Sequence, residues 1–294
     1  MTQLLLVAGP TASGKSALAL RLATELGGEI VNADALQLYR DLAILSARPA
    51  PEDEALAPHH LFGVADAADG WSVGRWLAAA GPVLEAIAGR GRSAIVVGGT
   101  GLYFRALTEG LAPLPAVAPA IRQESQARFD ELGEAAFRED LRHRDPAAET
   151  RIAPGDRQRL ARAFEVHAAT GRALSDWQAD AAPPLVTDYR AVVLEPPRAE
   201  LYGRCDKRFS AMVAAGALDE VQTLLARELD PALPAMKAVG VRELGGHLKG
   251  DIGLDEAVAL AQQQTRRYAK RQLTWFRNQT PDWPRIDEAL WTPG

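Results

Sequence analysis

The feature that most constrains this fold is an eight-residue segment near the N-terminus. Gly9-Pro10-Thr11-Ala12-Ser13-Gly14-Lys15-Ser16 fits the phosphate-loop pattern G-x-x-x-x-G-K-[ST]. An apolar run over 3–8 precedes it, leucines spaced four apart predict a helix over 15–26, and a second apolar run covers 29–32. Strand, glycine-rich loop, helix and strand form a βαβ unit, so this region predicts a parallel sheet.

The loop also predicts a ligand class. Its glycines let backbone N–H groups turn inward around phosphate oxygens, and the helix that follows adds its positive N-terminal end. Lys15 places a cation on the outer phosphates, and the Ser16 hydroxyl is a typical Mg²⁺ ligand in such loops. The segment therefore predicts a phosphorylated ligand with Mg²⁺, without saying which ligand.

The rest of the chain divides into α/β and helical parts. Further strands are predicted at 94–97 and 191–194, with a helix over 71–88 that Gly81-Pro82 can kink or break. Three prolines mark a linker at 111–119, and the stretch that follows has only charged, amphipathic helix patterns. We expect a P-loop NTPase-like α/β core with a parallel sheet, formed by residues 1–111 and 186–294. An all-helical insertion is expected at 112–185.

Composition limits the protein class. The 294 residues are 47% hydrophobic and 24% charged, near the average for a globular protein. No apolar run approaches the ~18 residues of a membrane helix, and no secretory signal is visible. The only cysteine, Cys205, excludes an internal disulfide. These features predict a cytoplasmic protein with no membrane association, and we expect a monomer. The net charge of −5 leaves nucleic-acid binding to a local basic patch.

The predicted strand over 94–97 is followed by glycines, at a place where many P-loop hydrolases have an acidic residue. Gly98-Gly99-Thr100-Gly101 follows the strand, and the guanine-reading motif Asn-Lys-x-Asp is absent. Motor ATPases and GTPases therefore do not fit. The glycines indicate either a ligand that approaches the backbone closely, with Thr100 supplying a hydroxyl, or a simple strand-to-helix turn.

Asp34 comes directly after the strand over 29–32. Residues at the carboxyl ends of parallel strands face the ligand crevice. Two interpretations stay open from the local sequence. Asp34 is either a base or part of the magnesium surroundings, or it is the N-cap of a helix.

A basic helix near the C-terminus suggests a contact with nucleic acid. Arg267, Lys270, Arg271, Thr274 and Arg277 share one helical face, while Ala269, Leu273 and Phe276 share the other. This pattern suits either contact with a phosphate backbone or an ordinary solvated face. A second arginine cluster, Arg157, Arg159 and Arg162, lies in the insertion.

Together these segments resemble one family, the bacterial tRNA dimethylallyltransferases. The matches occur in family order across nearly the whole chain: GPTASGKS (9–16), ADALQLYR (33–40), PHH (58–60), VGGTGLYFRAL (97–107), DRQRLARAFEV (156–166), TGRALS (170–175), AVGVREL (238–244) and TRRYAKRQLTWFR (265–277). The chain departs from the usual pattern at Ala35, at 45–49 and at Val241.

The resemblance implies transfer of a dimethylallyl group from dimethylallyl diphosphate to N6 of adenosine 37, beside the anticodon of tRNA. The P-loop would then hold the diphosphate, with Arg242 as an added cation and Ser16 as the protein ligand of Mg²⁺. Asp34 would be the base and Thr100 would orient N6. The resemblance also assigns contacts with the anticodon stem-loop to Asp34, Ala35, Leu36, Gln37, Thr100, Arg122, Gln158, Arg159, Leu160, Ala161, Arg162, Lys237, Ala238, Val239, Gly240, Val241, Arg242, Lys270, Arg271, Gln272, Leu273, Thr274, Trp275, Phe276 and Arg277.

Two other functions share parts of this pattern. A small-metabolite kinase would use the same loop with ATP as donor, but it gives no role to the basic helix. A non-catalytic RNA-binding P-loop module gives no role to Asp34 beside a phosphate site. Incubation with tRNA and labelled dimethylallyl diphosphate or ATP distinguishes the three functions by which label is transferred, and to which molecule.

Overall fold

The computed structural model describes residues 3–287 and contains a six-stranded sheet of order β3-β2-β4-β1-β5-β6. Every neighbouring pair of strands is parallel, which confirms the predicted α/β class with a parallel sheet. The strands are β1 (Leu4–Ala8), β2 (Glu29–Asn32), β3 (His59–His60), β4 (Ala94–Gly98), β5 (Arg190–Leu194) and β6 (Arg285–Ile286).

Eight α-helices of the described chain flank these strands in sequence. They are α1 (Lys15–Leu26), α2 (Pro51–Leu56), α3 (Val73–Gly89), α4 (Gly101–Glu109), α9 (Arg198–Ala214), α10 (Ala217–Leu225), α11 (Val241–Leu248) and α12 (Leu254–Gln279). Helix α3 continues through Pro82 without a break. The edge strands β3 and β6 were not predicted, because two residues are too few to show a hydrophobic period.

Side chains that alternate along the strands build apolar cores on both faces of the sheet. Leu5 and Val7 of β1 pack in one cluster with Leu18 and Leu22 of α1. Leu6 belongs to the other cluster, which includes residues of α3, α4 and α12. Burial of α1 against β1 fixes the connection between them, and that connection is the P-loop.

The chain divides into two compact units. One comprises the segments up to Thr108 and from Val186 onward, and the other comprises Glu109–Leu185. The second unit consists of helices α5 (Pro119–Arg144), α6 (Pro146–Arg151), α7 (Arg157–Thr170) and α8 (Leu174–Ala179). Its own core includes Phe137, Leu141, Leu160 and Phe164. Within α5, Gly133 adopts φ 69° and kinks the helix.

Within the described part of the chain, no helix combines the length and apolarity needed to cross a membrane.

Candidate active site

Three chain segments meet at the carboxyl edge of the sheet. Strands β2, β4 and β1 are neighbours, and all three run in the same direction. The P-loop follows β1, Asp34 follows β2, and Gly99-Thr100 follows β4, which ends at Gly98. Parallel strands bring their carboxyl ends together, so the topology places the three predicted motifs side by side.

Gly98 permits the closest of these approaches. A Cβ at this position would lie 2.0 Å from the carbonyl oxygen of Ala33, which no side chain tolerates. The Thr100 N–H donates to the same carbonyl at 3.2 Å. The Thr100 Oγ1 in turn accepts from the Ala35 N–H at 2.9 Å. The Gly-Gly-Thr-Gly segment is therefore a close backbone contact with the Asp34 segment as well as a turn.

Asp34 caps a turn and faces a cavity. Its Oδ1 accepts from the Leu36 N–H at 3.0 Å, and its own N–H donates to Asn32 Oδ1 at 2.7 Å. The next helix begins only at Pro51, so the helix N-cap interpretation is wrong. The half-buried carboxylate lines a cavity together with Thr11. These positions fit a base beside a phosphate site.

Two cations lie beside the loop, Lys15 with a buried side chain and Arg208 with a half-buried one. Burial lowers the pKa of Lys15 to about 8, against a smaller opposing effect of the Asp34 carboxylate. Burial also lowers the pKa of Arg208, a residue of α9 that lines the same cavity as Asp34. The Arg208 guanidinium donates to Thr11 Oγ1. Both cations bear a desolvation cost that a bound anion would relieve.

The loop itself is strained and incompletely bonded. Ala12 adopts φ 63°, the left-handed region that costs an L-residue roughly 1–2 kcal/mol. Among the described residues, Ser13 Oγ is one of the buried polar atoms with no hydrogen-bond partner. A buried hydroxyl without a partner is unfavourable unless a ligand satisfies it. Both features are typical of a loop shaped for its ligand.

A second, smaller cavity also reaches the loop. It is lined by Lys15, Ser16, Gln37 and His59, among others. Ser16 is exposed, so its hydroxyl is accessible to a ligand. Within residues 3–287, no group of three or more His, Cys, Asp or Glu side chains is placed to hold a metal ion.

Sequence reasoning missed Arg208. It lies within the α9 segment RCDKRF, which matches no short motif, and only the packing of α9 against the loop reveals its position. The predicted cation Arg242 is instead exposed in the first turn of α11 and is not among the residues that line either cavity. Its role as a diphosphate ligand stays a prediction.

The predicted faces of the C-terminal helix are confirmed by burial. Arg267, Lys270, Arg271, Thr274 and Arg277 are exposed on α12, whereas Ala269, Leu273 and Phe276 are buried. No carboxylate of the described residues forms an ion pair with Arg267, Lys270 or Arg271. Arg277 is paired with Glu195 at an Nε–Oε1 distance of 2.8 Å. Basic charge on this face is therefore concentrated at 267–271.

The predicted tRNA-contact segments separate into exposed and buried side chains. The exposed ones are Arg122, Gln158, Arg159, Lys237, Arg242, Lys270, Arg271, Thr274 and Arg277. The buried ones are Gln37, Leu160, Ala161, Ala238, Gly240, Val241, Gln272, Leu273 and Phe276. Ala35, Leu36, Arg162, Val239 and Trp275 are intermediate, like Asp34 and Thr100. A direct contact with a docked macromolecule is available first to the exposed group.

Family comparisons agree with this site. The profile of the family described as "IPP transferase" matches residues 37–279, and that described as "Isopentenyl transferase" matches 2–57. The chain is 64% identical to a tRNA dimethylallyltransferase of Phenylobacterium zucineum, covering 96% of this chain and 91% of that relative. It is 60% identical to one from a Caulobacter species, over 97% of this chain and 93% of the other.

Solved structures extend the comparison. A crystal structure of the tRNA isopentenylpyrophosphate transferase of Bacillus halodurans is 32% identical, with a TM-score of 0.68, over 97% of this chain and 90% of that chain. A eukaryotic dimethylallyltransferase acting on tRNA is 25% identical with a TM-score of 0.79, over 97% of this chain and 74% of that chain.

Proposed function

This chain belongs to the tRNA dimethylallyltransferase family, and we propose that it transfers a dimethylallyl group to N6 of adenosine 37 in the anticodon loop of tRNA. The observation that carries the site assignment is the meeting of the P-loop, Asp34 and Thr100 at one edge of the sheet. A phosphate-binding loop, a carboxylate base and a hydroxyl are the groups that this transfer needs.

The donor in this proposal is dimethylallyl diphosphate. Its diphosphate matches the loop, because the buried Lys15, the half-buried Arg208 and the unpartnered Ser13 hydroxyl all favour an anion. Its five-carbon chain matches the apolar side of the larger cavity, formed by Leu45, Phe209 and Met212 among others. These cations would stabilise the negative charge that grows on the diphosphate as it leaves.

Mg²⁺ fits the loop as a partner of the diphosphate. The exposed Ser16 hydroxyl is one available oxygen ligand, and Asp34 is a carboxylate at the same edge. Mg²⁺ usually binds through one or two protein oxygens plus phosphate oxygens and water, so the absence of a larger acidic cluster among the described residues agrees with it. When bound, the ion would add positive charge beside the leaving diphosphate.

Asp34 acts on the acceptor base. Adenine N6 attacks C1 of the donor, the C1–O bond breaks, and its electron pair leaves with the diphosphate. Asp34 takes the proton that N6 releases. A base is needed because the exocyclic amino group is a poor nucleophile, and loss of its proton as the C–N bond forms lowers the barrier. The Thr100 hydroxyl accepts from Ala35 N–H and retains its own hydrogen for the base or for Asp34.

The acceptor is held by exposed cations. Lys270 and Arg271 lie on α12 without an ion-pair partner among the described residues and suit the tRNA phosphate backbone. The target base has to leave its stack to reach the cavity. We further propose that the protein works as a monomer in the cytoplasm, where tRNA is available.

The test follows the label. The protein is incubated with tRNA and either dimethylallyl diphosphate labelled in the prenyl group or ATP labelled in the γ-phosphate. Prenyl label on adenosine 37 supports the proposal, phosphate transfer supports a kinase, and binding without transfer supports an RNA-binding module.

Asp34→Asn keeps the shape of the side chain and removes its basicity, so turnover should fall by roughly 10²–10⁴-fold while tRNA affinity stays close to wild type. The exposed Asp188 provides a matched control, Asp188→Asn, which should leave turnover unchanged. Near-normal turnover of Asp34→Asn would remove Asp34 from the mechanism.

A further inference from the structure

Gln272 is a polar residue with a buried side chain, next to the buried Leu273 on α12. It is 5% exposed, although both neighbouring turns carry the basic residues Lys270, Arg271 and Arg277 on their outer side. Its Oε1 accepts from the Thr11 N–H at 2.8 Å, and its Nε2 donates to the Gly99 carbonyl at 2.9 Å. Both ends of the amide are therefore engaged inside the protein.

These two bonds join the P-loop and the turn beyond Ala8 and Gly98, the last paired residues of β1 and β4. Thr11 belongs to the P-loop, and Gly99 immediately precedes Thr100. Both backbone groups lie outside the helices and strands, so no ladder of backbone bonds holds them. One side chain thus links the loop that holds the donor to the turn that carries Thr100.

The turn is shaped to receive this amide. A Cβ on Gly99 would lie 2.2 Å from Gln272 Nε2 and 3.2 Å from the Gly9 carbonyl oxygen. A Cβ on Gly101 would lie 2.1 Å from the ring of Trp275, three residues further along α12. A side chain at Gly101 would therefore clash with the Trp275 ring, and one at Gly99 would displace the Gln272 amide from its position.

We propose that Gln272 is a positioning residue that fixes the donor loop against the turn carrying Thr100. Its loss should therefore slow the chemical step more than it weakens the binding of either substrate. This inference rests on the function proposed above. A displacement of about 1 Å between reacting groups can cost on the order of 10²-fold in rate. The same side chain connects the loop to the helix whose outer face we assign to tRNA.

The test compares two glutamines of the same helix. Gln262 also makes two hydrogen bonds through Nε2, both at 3.1 Å, to the Asp206 carbonyl and Ser210 Oγ, with no contact to the P-loop. Gln272→Met and Gln262→Met each replace an amide by an apolar chain of similar length. Single-turnover rate, KM for tRNA, KM for donor and melting temperature are measured for both.

We expect Gln272→Met to lower the single-turnover rate by about 10–100-fold, with both KM values within about threefold of wild type. Gln262→Met should keep the wild-type rate. A normal rate in Gln272→Met, or an equal loss in both variants, would overturn the proposal. A rise confined to the KM for tRNA would also overturn it, because it would make Gln272 a tRNA contact.

A second variant tests the bonds themselves and covers the case in which Gln272→Met folds poorly. In Gln272→Glu the ionised carboxylate still accepts from Thr11 but repels the Gly99 carbonyl, whereas the protonated form restores a donor. Its rate relative to wild type should therefore recover as pH falls from 8 to 6. A pH-independent ratio would count against the proposal. Failure of wild type to transfer the prenyl label would instead refute the proposed function.

Discussion

The protein places positive charge in two different ways. At the P-loop, Lys15 and Arg208 are desolvated, and burial lowers the pKa of each. On the outer face of α12, Arg267, Lys270 and Arg271 are exposed to solvent. The pair at the loop is shielded from most of the solvent and therefore little screened, which suits one small anion. The exposed set is screened within about 8–10 Å at physiological salt, which suits a long polyanion held by several weak contacts.

The difference has an energetic cause. A desolvated cation without a partner carries a cost in free energy, and the negative charge of the donor offsets this cost when it binds. Exposed cations cost little when free and gain affinity through release of counterions from the nucleic acid. Loss of a buried cation should therefore impair chemistry at any salt concentration, whereas loss of an exposed one should change the salt dependence of tRNA binding.

Among the cations, the largest effect should come from Arg208→Met. Removal of a preorganised positive group beside the leaving diphosphate typically costs about 10²–10³-fold in turnover. Arg204, one turn earlier on α9, is exposed and paired with Glu200, so Arg204→Met is a matched control with expected wild-type turnover. Rates are compared at saturating donor and tRNA. Equal activity of the two variants would show that Arg208 does not act on the donor.

The next effect concerns pH. In the ligand-free protein the pKa of Lys15 is about 8, so raising the pH through 8 removes the positive charge of this lysine. A bound diphosphate favours the charged form and raises that pKa. Donor affinity should therefore be flat below about pH 7 and fall by up to about tenfold per unit above pH 8.

Calorimetric titration of the donor into wild type and Lys15→Met at pH 7, 8 and 9 checks this. The variant should bind weakly at every pH and lack the steep decline. A decline that persists in Lys15→Met would assign the pH dependence to another group.

How much of the fold and of the candidate site the sequence predicts depends on the length of the sequence pattern in each part. The P-loop, Asp34 and the Gly-Gly-Thr-Gly turn were found because each has a local pattern next to a strand, and a parallel topology then brings them together. The faces of α12 were predicted because a long helix shows its period clearly. The edge strands β3 and β6 were too short to show one.

Arg208 and Gln272 could not be found in this way. Each acts on the loop through a contact between residues that are far apart in sequence, Arg208 with Thr11 Oγ1 and Gln272 with Thr11 N–H. Family resemblance grouped Gln272 with its exposed neighbours, although one step along a helix turns a side chain by about 100°. Only packing distinguishes an inward glutamine from the lysine and arginine beside it.

A moderate effect is expected on the exposed face. Replacing Lys270 and Arg271 with Ala should weaken tRNA binding, and the salt slope of log K should become shallower by somewhat under one for each phosphate that the protein no longer neutralises. Donor affinity should not change. Lys249→Ala, at the end of α11, removes an exposed lysine away from this face and is the control. If affinity and slope stay at wild-type values, the face is solvated and tRNA binds elsewhere on the protein.

The smallest effect should come from the arginines of α7, because they differ from those of α12 in already having acidic partners. Arg157 lies 2.6 Å from Asp130, Arg159 lies 3.1 Å from Asp156, and Arg162 lies 3.5 Å from Glu165. A phosphate must compete with a carboxylate for each guanidinium, so the favourable free energy of that interaction is reduced. Arg159→Ala should therefore change the salt slope by less than half as much as the Lys270 and Arg271 double variant.

Removing the acid tests this explanation directly. Glu165→Gln should free the neighbouring Arg162 and strengthen tRNA binding at low salt, with a steeper salt dependence than wild type. Arg162→Ala should cancel that increase in affinity when the two changes are combined. If Arg159→Ala alone weakens binding as strongly as the α12 double variant, ion pairing does not limit these arginines, and the contrast between paired and unpaired cations fails.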